Sequence, residues 1–296
     1  MQVFAPGLYP RSEELVQATR DLDRGRTTPE AVDEQVERDL QELVSVQQAA
    51  GLDLLSDGML RWQDLFRPLV EAAEGLKTGA LTRFLDTNTF YRAPEATSPE
   101  PRLAGPLDER YVTPLPGPRL VTLPSPSALA HGTGVSPRTL AEGVLKPALA
   151  GLDAELVVLA EPFLAREDDP DLDALAEALE ALDGTLALQC TFGNAERLLE
   201  RGLADLPVDG IGIDFYATPA DALPTSFDKL LLAGVLDAHN SVLEDPQEIA
   251  TFAAGLEVER IALVPNGDLQ FVAEPLAREK LLRLGQAKEL KAEVAA

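Results

Sequence analysis

Eight short apolar runs recur along the chain, with helical stretches between them. They are Gln2–Ala5, Leu52–Leu55, Arg119–Leu123, Leu156–Ala160, Thr185–Cys190, Gly210–Asp214, Leu230–Leu236 and Ile261–Val264. Nearly continuous apolar runs of this length are what strands covered on both faces require, and parallel sheets provide that cover. The intervening stretches carry helix starts. Thr28-Pro29-Glu30 puts a capping residue before a proline at the first helical position, and Asp245-Pro246-Gln247-Glu248 repeats the pattern with Glu248 placed for a capping box. Leu172–Leu182 and Ala277–Leu290 have helical apolar spacing with charged opposite faces. Eightfold β-α alternation over 296 residues predicts an α/β protein, a single (β/α)8 TIM barrel domain over 1–296. A doubly wound open sheet is the competing architecture. It would carry a glycine-rich fingerprint after the first strand, and Ala5-Pro6-Gly7-Leu8-Tyr9-Pro10 is a poor substitute.

One segment breaks the rhythm. Residues 84–118 are dense in proline and glycine and hold two strand-like pieces, Phe84–Tyr91 and Arg110–Thr113. This predicts a β-hairpin insertion between strands two and three. It is too short to own a core, and no linker of flexible composition flanks it.

Charge and cysteine content narrow the function classes. Fifty acidic against twenty-five basic residues give a net charge of −25, a field that repels phosphate backbones and anionic lipid. No nucleic-acid or membrane partner is expected. A single cysteine excludes an intrachain disulfide framework and a cysteine-rich zinc site. No apolar run approaches the ~20 residues that span a bilayer. Met1-Gln2-Val3-Phe4 lacks the basic start of a secretory leader, so a cytoplasmic protein is expected.

Barrel active sites lie at the carboxyl ends of the strands. The polar residues there are Tyr9 and Arg11; Asp57, Arg61 and Asp64; Ser125 and Ser127; Glu161; Cys190 and Thr191; Asp214 and Tyr216; Asp237, His239 and Asn240; and Asn266 and Asp268. So many polar strand ends fit a ligand-binding mouth, although loops are polar anyway. Asp237-Ala238-His239-Asn240 is the most chemical of these segments. The chain holds two histidines, and this one follows an apolar strand directly, beside a carboxylate that would raise its pKa or fix its tautomer. Two readings stay open for it, a proton-transfer group or a histidine bonding loop backbone. His131, in a glycine-flanked loop, favours the structural reading. Cys190 ends a buried strand, either an inert hydrophobe or a mouth residue. Glu161, Asp214 and Asp237 are carboxylates able to bind an amine. No paired-Cys, His-x-Cys or His-x₃-His spacing exists, so no metal ligand is assigned.

Read in order, the strand-end motifs resemble the cobalamin-independent methionine synthases. They are Gly7-Leu8-Tyr9-Pro10-Arg11, Gly51-Leu52-Asp53 with Ser56-Asp57-Gly58, Asp86-Thr87-Asn88 with Tyr91, Leu115-Pro116-Gly117-Pro118, Ala160-Glu161-Pro162, Gln189-Cys190-Thr191-Phe192-Gly193, and Val235-Leu236-Asp237-Ala238-His239-Asn240. The likeness runs from about residue 5 to about residue 285, and the length resembles the single-barrel members. The resemblance implies a barrel that moves a methyl group from a folate or a corrinoid protein to the thiol of homocysteine. It also implies a zinc ion that activates the thiolate, since a free thiol is mostly protonated at neutral pH.

The departures are specific. The family's His-x-Cys zinc pair falls on Leu188 and Cys190, its zinc glutamate on Asp214, and its last zinc cysteine near Gly267, beside Asp268. The homocysteine-holding glutamate falls on Met59, and the aspartate of the Asp-Glu-Pro motif on Ala160. The Asp-x-His motif survives as Asp237 and His239, whose histidine the resemblance assigns to proton transfer. The sequence therefore predicts catalytic roles for His239 and Asp237. Small-molecule substrate contacts are expected from Tyr9, Arg11, Asp64, Ser125, Glu161, Cys190, Asp214 and Asp268. Two functions follow: a methyltransferase with an altered, zinc-poor site, or a non-catalytic ligand-binding paralogue acting with a methyl-donor partner protein. A barrel lyase using His239 as base is a third and weaker analogy.

Overall fold

The computed structural model describes residues 1–294. Its strands are β1 (Gln2–Val3), β2 (Leu76–Arg83), β3 (Phe90–Ala96), β4 (Leu120–Pro124), β5 (Leu156–Glu161), β6 (Leu186–Cys190), β7 (Gly210–Asp214), β8 (Leu230–Leu236) and β9 (Ile261–Pro265). The first helices are α1 (Glu13–Asp23), α2 (Pro29–Ala49), α3 (Arg67–Ala72), α4 (Pro126–Ala130) and α5 (Pro137–Leu140). They are followed by α6 (Lys146–Leu149), α7 (Leu172–Leu179), α8 (Glu196–Glu200), α9 (Pro246–Gly255) and α10 (Glu274–Val294).

Seven strands form one parallel sheet in the order β1-β9-β8-β7-β6-β5-β4. Residues 52–55 join its two edges. The Asp53 N–H donates to the Val3 carbonyl, while Leu55 exchanges two 2.9 Å bonds with the β4 edge at Pro118 and Leu120. This segment is the predicted second strand, reduced to a single bridge. Asp53 spends its side chain there, accepting the Val3 N–H at 2.7 Å and the Lys288 ammonium at 2.6 Å. The eight-membered circuit is the barrel that the alternation predicts.

Side-chain parity sorts the strands into two buried layers. Phe4, Leu54, Leu120, Val158, Ala187, Leu232 and Val264 fill the barrel interior. Val121, Leu159, Leu188, Ile213, Ala233 and Leu263 pack outward against the helices. The predicted N-caps form, with Thr28 accepting from Ala31 N and Asp245 from Gln247 N, while no bond from Glu248 back to Asp245 completes a capping box among the described residues. Among the described residues no helix is long and apolar enough to cross a membrane.

The insertion is a hairpin, but it lies earlier than its composition indicates. β2 and β3 pair antiparallel over Leu76–Ala96, and 109–111 is a 3-10 turn capped by Asp108. β2 reads as a polar strand, so apolar periodicity passes over it, while Phe84 and Tyr91 bracket the turn and bury their rings.

Gly285 marks the closest helix packing. A Cβ there would overlap the carbonyl oxygen of Ala50, where the end of α2 crosses α10. Gly285→Ala is therefore expected to destabilise by ~1–3 kcal/mol, the usual cost of overpacking, despite alanine's better helix propensity. A shift in the urea midpoint at unchanged slope measures it, and a more stable variant would contradict the contact.

Candidate active site at the carboxyl ends of the strands

A cavity of about 560 Å³ opens at the carboxyl end of the barrel. Asp214, His239, Phe192 and Gln270 line it from the barrel side, and the hairpin tip Asp86–Thr89 from the other. The hairpin is held there in two ways. Arg166 pairs with Asp86 and donates from Nε to the Phe192 carbonyl at 2.9 Å. Phe84 enters an aromatic cluster, with ring centroids 5.4 Å from Phe192 and 6.1 Å from Phe271.

Asp214 ends β7 and is 4% exposed. Its Oδ1 accepts the Asn266 side-chain amide at 3.1 Å and the Tyr216 N–H at 3.0 Å. Its other oxygen has no partner among the described residues. Burial pushes its pKa above the ordinary aspartate value, more than the amide donors and His239 bring it down. Asn266 ties this carboxyl to the next strand end, because its Oδ1 accepts the Ala238 N–H at 2.9 Å.

Asp237 and His239 form the second element. The carboxylate Oδ1 accepts the His239 N–H at 2.9 Å and lies 3.4 Å from Nδ1, while Asn240 donates to Oδ2. Burial would raise Asp237, but the bonds from His239 outweigh it and hold the carboxyl below its ordinary range. With Nδ1 facing a carboxylate, Nε2 is the imidazole nitrogen left for the cavity. It points past Gly267, where an added Cβ would lie 3.4 Å away. Phe192 and Phe271 border the ring, with centroids at 4.4 and 5.6 Å.

The loop carrying this pair is anchored by residues that the motif reading passed over. Glu244 accepts the Asp237 N–H at 2.8 Å and the Tyr216 hydroxyl at 3.3 Å. It also pairs with Lys280 at 2.8 and 3.0 Å, and Lys280 donates to the Val242 carbonyl at 2.6 Å. Lys280 is fully buried. The signal was in the sequence: position 280 lies on the apolar stripe of α10 defined by Ala277, Leu281 and Leu284, where a lysine needs a partner.

Asp268 sits beneath the first loop. It accepts from the Leu8 N–H at 3.0 Å and from the Gln270 amide at 3.3 Å. Gly7 has φ +89°, and a side chain there would overlap this carboxylate, so glycine is required twice over. Burial raises the Asp268 carboxyl to about 6 against an ordinary 3.8. Between those values the folded state holds a proton that the unfolded chain has lost. Stability from this group is therefore complete below pH 3.8 and is lost as pH rises through about 6. Asp268→Asn is expected to be the more stable form at pH 7.5 by on the order of 2–3 kcal/mol, and to show no advantage at pH 4. Urea unfolding of both proteins at the two pH values checks this, and a constant difference would refute it.

The remaining predicted residues are placed elsewhere. Ser125, Glu161 and Cys190 lie together on the outer side of the strands. Glu161 accepts from Ser125 and from the N–H groups of Phe163 and Leu164 at 2.9 and 3.1 Å, and it pairs in register with Cys190. Glu161 and Ser125 are completely buried, and Cys190 packs with Leu186 and Leu188 in the helix-facing core. Burial, reinforced by Glu161, pushes the Cys190 thiol pKa far up, opposite to an activated thiolate. Asp64 accepts from the N–H groups of Phe66 and Arg67 at 2.9 Å and of Arg92 at 3.1 Å, fastening α3 to the hairpin. Tyr9 donates to Glu274 at 3.4 Å and, with Arg11, borders a second cavity. His131 stacks on Phe163 at 4.2 Å and faces Glu167 at 3.7 Å.

These positions do not fit the zinc ion that the resemblance implies. Leu188 and Gly267 have no ligand atoms, Cys190 faces the helices, and Asp214 faces the cavity. Among the described residues no three His, Cys, Asp or Glu side chains converge to hold a metal.

No family model matches the chain. It is 31% identical over 201 residues to a 5-methyltetrahydropteroyltriglutamate–homocysteine methyltransferase of Mycobacterium leprae, a match covering 60% of this chain and 26% of that protein. The chain thus spans about a quarter of that relative. It is 23% identical over 301 residues to a methionine synthase of Sulfurisphaera tokodaii, covering 94% of this chain and 88% of the other. In structure it superposes on a B12-independent methionine synthase from Shewanella sp. W3-18-1, solved with selenomethionine, with a TM-score of 0.72 and 16% identity over 100% and 99% of the two chains. The resemblance carried by the strand-end motifs therefore extends over nearly the whole chain, which is similar in sequence to the cobalamin-independent methionine synthases and shares their fold.

Proposed function

We propose that this chain is a methionine synthase-like methyltransferase acting on a small molecule in the mouth cavity, with an altered, zinc-poor acceptor site. One observation carries the reading: the His239 imidazole, backed by Asp237, shares the cavity with the buried Asp214 carboxyl. A thiol acceptor must lose its proton before it can take a methyl group, and a positioned imidazole is the general base for that step. In this reading His239 Nε2 takes the thiol proton, the thiolate sulfur bonds the methyl carbon, and the electron pair of the broken methyl–donor bond stays on the donor, which receives the proton back from the imidazolium. Asp237 fixes the tautomer and stabilises the imidazolium as it forms. Asp214 offers its free oxygen to an amine or hydroxyl of the ligand. Homology to proteins named methionine synthase supports methyl transfer as the reaction class.

The test is turnover. Purified protein is given homocysteine and methyl-folate, with zinc content measured on the same sample. Methionine formation without stoichiometric zinc is the expected result. The buried Glu161–Cys190 pair favours one second reading, an accessory paralogue that binds ligand and works with a methyl-donor protein. Saturable homocysteine binding with no turnover would select it over the first.

A further inference from the structure

Arg11 stands apart from the other cations of this protein. Among the described side chains, each remaining Lys or Arg that is not exposed, from Arg61 on Asp33 to Lys280 on Glu244, has an acceptor for its charge. Arg11 is partly buried and, among the described residues, has neither a hydrogen-bond acceptor nor an ion-pair partner. Asp39, the carboxylate that acts on it, is already engaged by the Ser12 N–H and hydroxyl and by Gln35. Burial accordingly pulls the guanidinium pKa below its ordinary value. A guanidinium withdrawn from water without an acceptor is costly, and its planar fork matches carboxylate and phosphate.

The side chain borders a cavity of about 660 Å³, together with Tyr9, Trp62, Gln63 and Gln270. Glu13, Glu14 and Glu274 also line this cavity, and none of them pairs with Arg11. Glu13 and Glu14 lie exposed at the rim, and Glu274 accepts the Tyr9 hydroxyl. Thr89 and Gln270 border both this cavity and the one that holds His239 and Asp214.

From these observations we infer that the Arg11 cavity is a subsite for an anionic group, carboxylate or phosphate, of a ligand whose other end reaches the mouth cavity. The link between the two ends rests on the function proposed above, whereas the anion subsite does not. Trp62 is the chain's single tryptophan, is buried, and lies in the cavity wall, so its fluorescence reports occupancy.

The experiment titrates the full chain with glutarate and, separately, with inorganic phosphate, at ionic strength held constant with chloride. A saturable change in Trp62 emission is expected, and the tighter of the two anions identifies the ligand group. Arg11→Gln should weaken that titration at least tenfold with an unchanged or higher Tm, because it removes a partly buried charge that no acceptor hydrogen-bonds. If Arg11→Gln does not fold, Arg11→Lys carries the test: it keeps the charge, loses the fork, and should still weaken binding severalfold. No saturable response to either anion in the wild type, or the same titration in wild type and variant, overturns the subsite. His239→Asn should leave these titrations unchanged, so loss of turnover and loss of anion binding are separable results.

Discussion

Replacing Lys280 with methionine is expected to cost ~3–5 kcal/mol of stability, the usual penalty for leaving one member of a buried ion pair alone. Its side chain is 0% exposed and that of its partner Glu244 is 8% exposed, so water cannot take over the lost contacts. The loss also spreads along the loop. Glu244 accepts the Asp237 N–H, and Arg283 donates to the Glu244 carbonyl at 2.8 Å, so the segment that presents His239 is tied to α10 through this pair. Urea unfolding measures the effect. A second variant, Lys280→Met with Glu244→Gln, removes both charges and should recover a large part of the loss, because the isolated carboxylate is the expensive species. A single-variant cost below ~1 kcal/mol would show that the pair is not desolvated as its burial implies.

His239→Asn is expected to reduce turnover by roughly 10²-fold or more, the usual contribution of a general acid or base. Stability should stay within ~0.5 kcal/mol of wild type. The two effects separate because the imidazole side chain remains 29% exposed in the cavity wall, and asparagine preserves both the backbone N–H to Asp237 and a polar group beside it. If His239 only ties down the loop, the results reverse, with a lower Tm and unaffected chemistry. Measuring turnover, homocysteine affinity and Tm on one preparation distinguishes the cases. A stability loss with intact turnover would remove His239 from the mechanism.

Strand-end position puts Asp214 and His239, which border the cavity, and Asp268, which does not, on one rim, because in a parallel barrel the carboxyl ends of the strands lie together. It did not tell which side of the wall each residue faces. Cys190 and Gln189 are neighbours in β6, yet Cys190 packs among outward leucines, while Gln189 turns the other way and donates to the Pro265 carbonyl at 2.9 Å. Serial order likewise could not separate Glu161, used up by its own loop, from Asp214, which has one carboxylate oxygen without a partner among the described residues. Polar residues that occupy each other are indistinguishable in sequence from polar residues held for something else.

The hairpin illustrates the same limit. Its proline- and glycine-rich surroundings announced an insertion, but β2 sets two leucines among small and polar residues with no continuous apolar face, so periodicity misplaced its strands. What brings Asp86–Thr89 over the mouth is the burial of Phe84 against Phe163, Phe192 and Phe271, rings from three other parts of the chain. The sequence by itself determined the architecture, since apolar strands alternating with capped helices have few ways to bury both faces. The tertiary structure alone decided which carboxylates are spent, which partly buried cation lacks a partner among the described residues, and how the hairpin closes on the cavity. Burial and pairing depend on contacts between residues as far apart as 52 and 235 positions, seen in Asn266 with Asp214 and Lys288 with Asp53, and no local pattern encodes them.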